Sequence, residues 1–430
     1  MIITTDELAG VLDNKDLIII DVRPVDAYNG WSLKGEKRGG HIRGARSLPL
    51  KWTKYIDWIE IVRSKGILPG HSLVLYGYNH EESEHVAQLF IRAGYQNLKI
   101  YNGFLNEWSA VDEYPMEHLE RFSNLVPAGW LNDIISGRKP ASYSGRGIVI
   151  CHAHYRNHED YMKGHIPGAI SFDTLNLESP ETWNRRSPEE IRKALTEHGI
   201  CKDTTVVLYG RFSFPDNNDP FPGSSAGHLG AIRCAALMLY AGVRDVRVLN
   251  GGLQSWEDEG YSITTEESLP LPVGDFGLDI PGQKELVIDT PEAKKYLEDK
   301  DSDLVCVRSW NEWIGEVSGY NYIEKKGRIP GALFANCGSD AYHMENYRNL
   351  DHTTREYNEI AETWEKSGIV KVKKLAFYCG TGWRGSEAFL NAWLMGWPYV
   401  SVYDGGWFEW SSDEANPVET GIPNEIQVDV

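Results

Sequence analysis

One unit is written three times along these 430 residues, and the repetition constrains the fold more than any other feature of the sequence. The segments IYNGFLNEW (100–108), VLNGGLQSW (248–256) and VYDGGWFEW (402–410) share an apolar run, an N-G or D-G turn and a tryptophan. Ahead of them stand Ala93-Gly94, Ala241-Gly242 and Met395-Gly396, where the end of a helix calls for a left-handed residue. Further upstream, LVLYG (73–77), VVLYG (206–210) and LAFYC (375–379) read as buried strands, so Gly77, Gly210 and Cys379 occupy one position of the repeat. GGHIRGA (39–45), KGHIPGA (163–169) and KGRIPGA (326–332) recur once per copy, preceded by IIIDVR (18–23), IVICHA (148–153) and LVCVRS (304–309). This alternation of strand and helix signals predicts an α/β class: three tandem domains, each a mostly parallel sheet with helices on both faces.

From the strand end to the turn glycine the chain takes 26 residues in copy one (77 to 103) and in copy three (379 to 405), but 41 in copy two (210 to 251). The extra 15 fall in the Pro-, Gly- and Asn-rich stretch after Gly210, a loop over 211–225 for which a lid or docking element and a plain surface loop are equal expectations. The expected domains are 1–124, 125–270 and 285–430, with a Pro-bearing linker through Pro270, Pro272 and Pro281. Copy three opens with Thr290 as the expected N-cap and Pro291 in the first turn.

Composition removes several function classes. The net charge of −19 disfavours nucleic acid and acidic membrane surfaces as partners. No run of 18 apolar residues occurs, and MIITTDELAG is not a basic leader followed by an apolar stretch, so a soluble, cytoplasmic protein is expected. Six cysteines without a C-x-x-C pair suggest reduced thiols rather than a disulfide framework. Cys151, His152, His154 and His158 form a cluster in the sequence, but strand alternation sends Cys151 away from His152 and His154. No metal is expected there.

Only the third copy ends its central strand in cysteine, and CGTGWRG runs from a glycine-rich loop straight into a helix. Gly380 and Gly382 allow backbone N–H groups to turn inward as an anion-binding nest, and the helix N-terminus adds positive potential, which favours a Cys379 thiolate. Arg384 closes the loop and Arg308 ends a neighbouring strand; either could hold an anionic substrate. GTGWRG also fits G-x-G-x-x-G with Asp404 about 20 residues on, but only 45 residues follow Gly385, too few for the rest of a dinucleotide fold.

The combination of DVR (21–23), GHIRGA, GHIPGA, CGTGWR and DGGW resembles the rhodanese superfamily of sulfurtransferases, in its bacterial triple-domain branch. The resemblance spans all three copies. It implies a loop cysteine that takes a sulfane sulfur, holds it as a persulfide and passes it to a nucleophile, without metal or organic cofactor. It places the active cysteine at Cys379, the cradle at Gly380, Thr381, Gly382, Trp383 and Arg384, and the D-x-R arginine at Arg308. Copy three departs from the pattern at Cys306, where the family has Asp, and at Arg328, where it has His. Four residues between Cys379 and Arg384 favour sulfur over phosphorus, because related phosphatases carry one more.

The resulting expectation is a sulfurtransferase fed by a small anionic donor, thiosulfate or 3-mercaptopyruvate. The alternative is a slow sulfur-relay protein with a protein donor or acceptor. Copies one and two, lacking the cysteine, are expected to be silent and to wall the site. Cys337 is a candidate resolving thiol, with a packed thiol the plainer expectation.

Overall fold

A computed structural model describes residues 1–140, 142–212 and 226–423. The chain divides into two compact units, Met1–Ser123 and Asn124–Val430. The expected lid or surface loop over 211–225 lies, from residue 213 on, outside the described residues.

In the first unit the strands β1 (Ile2–Ile3), β2 (Leu17–Asp21), β3 (Arg46–Ser47), β4 (Ser72–Tyr76) and β5 (Leu98–Tyr101) form one parallel sheet in the order β1-β5-β4-β2-β3. Helix α1 (His80–Arg92) follows β4. Ile20, Leu73, Leu75, Trp58 and Phe90 pack into one apolar cluster, the reason the strands read as near-continuous hydrophobic runs.

The second unit carries two further parallel sheets of the same topology. One comprises β6 (Leu125–Val126), β7 (Ile148–His154), β8 (Ile170–Asp173), β9 (Thr205–Tyr209) and β10 (Asp245–Leu249). The other comprises β11 (Val287–Ile288), β12 (Ser302–Cys306), β13 (Leu333–Phe334), β14 (Lys374–Tyr378) and β15 (Val400–Tyr403). Helix α2 (Ala226–Ala241) precedes β10, and in the third copy α3 (Thr290–Glu298), α4 (Trp310–Trp313) and α5 (Trp383–Leu394) surround the sheet. The sequence of α2 is apolar almost all round, as a helix packed on every side must be. Arg233 is the charged exception near its middle, and it is wholly buried.

The ladders correct two readings of the sequence. Tyr76, Tyr209 and Tyr378 lie opposite Asp21, His152 and Cys306, so the D-x-R position of copy two is His152-Ala153-His154, one residue beyond the letter match of IVICHA to IIIDVR. Asp289, not Thr290, is the N-cap of α3, because the Thr290 hydroxyl is engaged by Tyr403 at 2.8 Å and by Glu409.

Candidate active site

Cys379 follows directly on Tyr378 at the C-terminal end of β14, where ligands of parallel sheets collect. Its carbonyl accepts from Trp407 N at 2.8 Å and the Gly380 carbonyl accepts from Phe408 N at 2.9 Å, which pins the start of the loop to the turn after β15. Gly382, the N-cap of α5, has φ +90°, a conformation that favours glycine. At Gly380 a Cβ would stand 2.4 Å from the Tyr320 ring, so only a bare backbone admits that tyrosine. Tyr320 therefore packs directly against the backbone of the loop at Gly380.

Arg384 is fully buried and donates to both oxygens of Glu312, at 2.9 and 2.8 Å, and to Cys337 Sγ at 3.3 Å. Burial works to raise the Glu312 carboxyl, but Arg384 and then Arg308 outweigh it and hold the group below the ordinary carboxylate range. Glu312 also accepts from Ser309 N and Oγ at the start of α4, a capping box that fixes it in place. Arg384 is thus already paired within the protein, and an anion would have to compete with a bidentate carboxylate for it.

Arg308 stands elsewhere. It donates to Gly327 O at 2.5 Å and to Cys306 Sγ at 3.2 Å, with its guanidinium 4.8 Å from the Trp407 ring centre. Arg23 in the first unit does the same: it donates to Gly40 O at 2.7 Å and lies 3.9 Å from the centre of the Phe104 ring. Copy one has Gly77 in place of the cysteine, so the same arrangement recurs in a domain without the nucleophile.

Cys337 does approach the site through Arg384, yet burial pushes its thiol up to about 12 against the opposing charge of that arginine. It is a protonated thiol at neutral pH. Cys306, at the position of the family's Asp, is likewise held up by burial.

Sequence reasoning passed over the groups that cover the loop. Between Gly315 and Gly327 the chain makes a loop whose ends meet, with a Cβ on Gly315 only 3.2 Å from Gly327 Cα. It carries Tyr320, stacked at 5.2 Å on Tyr322, whose hydroxyl faces Thr381. Trp183, from the second copy, stacks on Tyr322 at 4.6 Å, and Phe408 lies edge-on to both. Cys379 is 0 % exposed, whereas Tyr322 is 39 % exposed. Two tyrosines two residues apart between hinge-like glycines were the available signal.

The second copy reaches the loop at a further point. Trp383 Nε1 donates to both oxygens of Glu178, at 3.0 and 3.1 Å, and Glu178 accepts from Arg233 Nε at 2.6 Å. Arg233 also pairs with Asp404, which takes Arg185 N at 2.8 Å as well. In the degenerate site of copy two, Ser171 Oγ sits between His154 Nε2 (2.8 Å) and His158 Nδ1 (2.9 Å). In copy one Glu82 accepts the Tyr78 N–H, the capping role its place at a helix start suggests.

Three parallel sheets of one topology, with a cysteine loop opening a helix on the third, define a sulfurtransferase-type scaffold, and the Rhodanese-like domain model matches residues 4–111, 154–259 and 289–413; the chain belongs to the rhodanese family. It is 38% identical to the thiosulfate sulfurtransferase YnjE of Escherichia coli K12, over 94% of this chain and 88% of that protein. It is 32% identical to the sulfur carrier protein TtuD of Thermus thermophilus, over 61% of this chain and 87% of that one. Among solved structures, wild-type EanB superposes with TM-score 0.96 at 61% identity, covering 98% of each chain. Related EanB structures contain hercynine or ergothioneine, two of them with a cysteine persulfide. The cysteines named in those structures are 31 and 42 residues apart, as are Cys306, Cys337 and Cys379, and the persulfide is on the last. A tyrosine 59 residues before it and a threonine two after it match Tyr320 and Thr381 in spacing. No helix among the described residues is long and apolar enough to cross a membrane.

Proposed function

We propose that the protein carries a sulfane sulfur as a persulfide on Cys379 and transfers it to the imidazole of hercynine, the trimethylammonium betaine of histidine, giving ergothioneine. The observation that carries this reading is the likeness to EanB at 60% identity across 98% of the chain, with the cysteine, tyrosine and threonine spacings kept. In the transfer, the imidazole C2 gives up its proton and attacks the outer sulfur of the persulfide. The C–S bond forms, the S–S bond breaks, and the sulfur–sulfur electron pair leaves on Cys379 as thiolate, so no oxidant is consumed. Loading balances in the same way: the Cys379 thiolate takes the outer sulfur of a polysulfide or of thiosulfate, and a shortened polysulfide or sulfite departs.

The site supports an uncharged or cationic acceptor better than an anionic one. The charge of Arg384 is spent on Glu312, while Tyr320, Tyr322, Trp183 and Phe408 offer aromatic surface, which suits a quaternary ammonium ion that cannot donate hydrogen bonds. Cys379 is fully buried and the next residue, Gly380, packs against the Tyr320 ring, which favours a small-molecule acceptor over a partner protein. The YnjE likeness supports thiosulfate as a donor, and the TtuD likeness keeps a relay role as the second reading.

The test is incubation of the protein with hercynine and either polysulfide or thiosulfate, with ergothioneine measured by mass. Formation by the wild type and none by Cys379→Ser is the expected result. Thiocyanate from thiosulfate and cyanide, with no ergothioneine from either donor, would return the protein to the simple thiosulfate class.

A further inference from the structure

The backbone bonds that pin the 379–384 loop come from its own copy, but the side chain of Trp383 is held by the second. Glu178 is wholly buried, its main chain tied down by a bond from Glu178 N to Thr174 O at 3.1 Å and by bridge pairing with Arg185. The cation that faces it, Arg233, also lies against the loop: its Nη1 would be 3.3 Å from a Cβ on Gly382. A carboxylate is therefore placed, at the cost of burial, where the indole N–H of a loop residue and a guanidinium converge.

We infer that Glu178 is a positioning residue for sulfur transfer: its ionised carboxylate, supplied by the second copy, holds Trp383 and through it the loop that bears the Cys379 sulfur. The inference rests on the function proposed above. An indole can only donate, so Trp383 needs an acceptor, and an ionised carboxylate serves both Trp383 and Arg233 with charge-assisted bonds. Protonation puts a hydrogen on one oxygen, removes the charge that strengthens both bonds, and leaves Trp383 and Arg233 to share the remaining carbonyl oxygen.

The groups around Glu178 are Arg233 and Cys234 on α2, Asp404 after β15 with Arg185 beyond it, and Trp383 at the start of α5. Burial, opposed by Arg233 and assisted by Asp404, raises the Glu178 carboxyl to about 7. The hold on Trp383 is thus complete above neutrality and is released as pH falls through about 7. A domain without a nucleophile would in this way remain necessary for transfer.

The experiment preloads Cys379 with one sulfur, confirms loading by intact mass, and measures single-turnover transfer to hercynine from pH 5 to pH 8.5. Wild type is compared with Glu178→Gln, Trp383→Phe and the double variant; wild-type to variant ratios cancel the titration of the acceptor. The expected wild-type rate at pH 8 exceeds that of Glu178→Gln by about tenfold or more, up to the roughly hundredfold that a misplacement of about 1 Å can cost, with the ratio closing toward one below pH 6. Trp383→Phe should show the same loss, and the double variant no more than either single, because both remove one interaction.

Wild-type rates and pH dependence in Glu178→Gln, or losses that simply add in the double variant, would overturn the inference. If Glu178→Gln does not fold, Trp383→Phe decides alone, and a wild-type profile there overturns it. Absence of ergothioneine from wild type at every pH instead counts against the proposed acceptor. The same variants are then compared with cyanide as acceptor, where the same pattern is required.

Discussion

The Arg384 guanidinium grips both oxygens of Glu312, at 2.9 and 2.8 Å, with both side chains almost fully buried. Removing one partner of such a pair leaves an uncompensated buried charge and costs about 3–5 kcal/mol, whereas replacing both by apolar groups is often close to neutral. Glu312→Gln and Arg384→Met are each expected to lose stability on that scale, and Glu312→Leu with Arg384→Met to lose less than either single change. Urea titrations read this directly. A double variant as unstable as the sum of the singles would show that the pair is not the unit that matters.

Arg308 should behave as scaffold. Arg308→Met strands the Gly327 carbonyl, a loss of about 1–3 kcal/mol for a buried acceptor, whereas Arg23→Met also strands the buried Asp21 carboxylate and should cost about 3–5 kcal/mol. The KM for the sulfur donor should stay within about twofold, since uniform binding is lost only when a group touching substrate is removed. A large rise in KM at unchanged stability would restore Arg308 as an anchor.

Cys337 should be dispensable. Its thiol is pushed up to about 12 and cannot supply much thiolate at neutral pH. Cys337→Ala is expected to take up one sulfur and to transfer it, whereas Cys379→Ser takes up none; the reverse pattern in intact masses would exchange their roles.

Stability should carry a titration from Glu387. Burial, opposed by Arg348, raises its carboxyl to about 7. The folded chain then keeps a proton that the unfolded chain has already released above about 4.5, so this group makes stability fall as pH rises from about 4.5 to about 7, and level thereafter. His228, held well below 6.5 by burial and then by Arg348, acts in the opposite sense, losing stability as pH falls through 6.5. Glu387→Gln should therefore differ from wild type in the slope of stability between pH 5 and pH 7.5, with less loss on the alkaline side. Parallel slopes in denaturant titrations would contradict this.

Much of this was legible in the sequence because it is carried by short-range patterns. The three strand–turn–tryptophan segments and the glycine-bounded helices announce the repeated parallel sheet, and Cys379 between Tyr378 and Gly380 announces the loop, since the end of a strand and the start of a helix are both written locally. What escaped was long-range. Nothing near Arg384 in the chain says that Glu312 will neutralise it, and nothing near Trp383 says that Glu178, 205 residues away, will accept its N–H. The offset at His152 had a different cause: the apolar run IVIC fits the strand letters, while the ladder register is set by Tyr209 opposite His152.

The most direct test of the central claim follows one sulfur. The protein is loaded with isotopically labelled donor, freed of the donor, and given hercynine, and the masses of protein and product are taken through a single turnover. The account predicts that the label sits on Cys379, leaves it as labelled ergothioneine appears in equal amount, and is never taken up by Cys379→Ser. Labelled product without loss of the adduct, or transfer by Cys379→Ser, would contradict it.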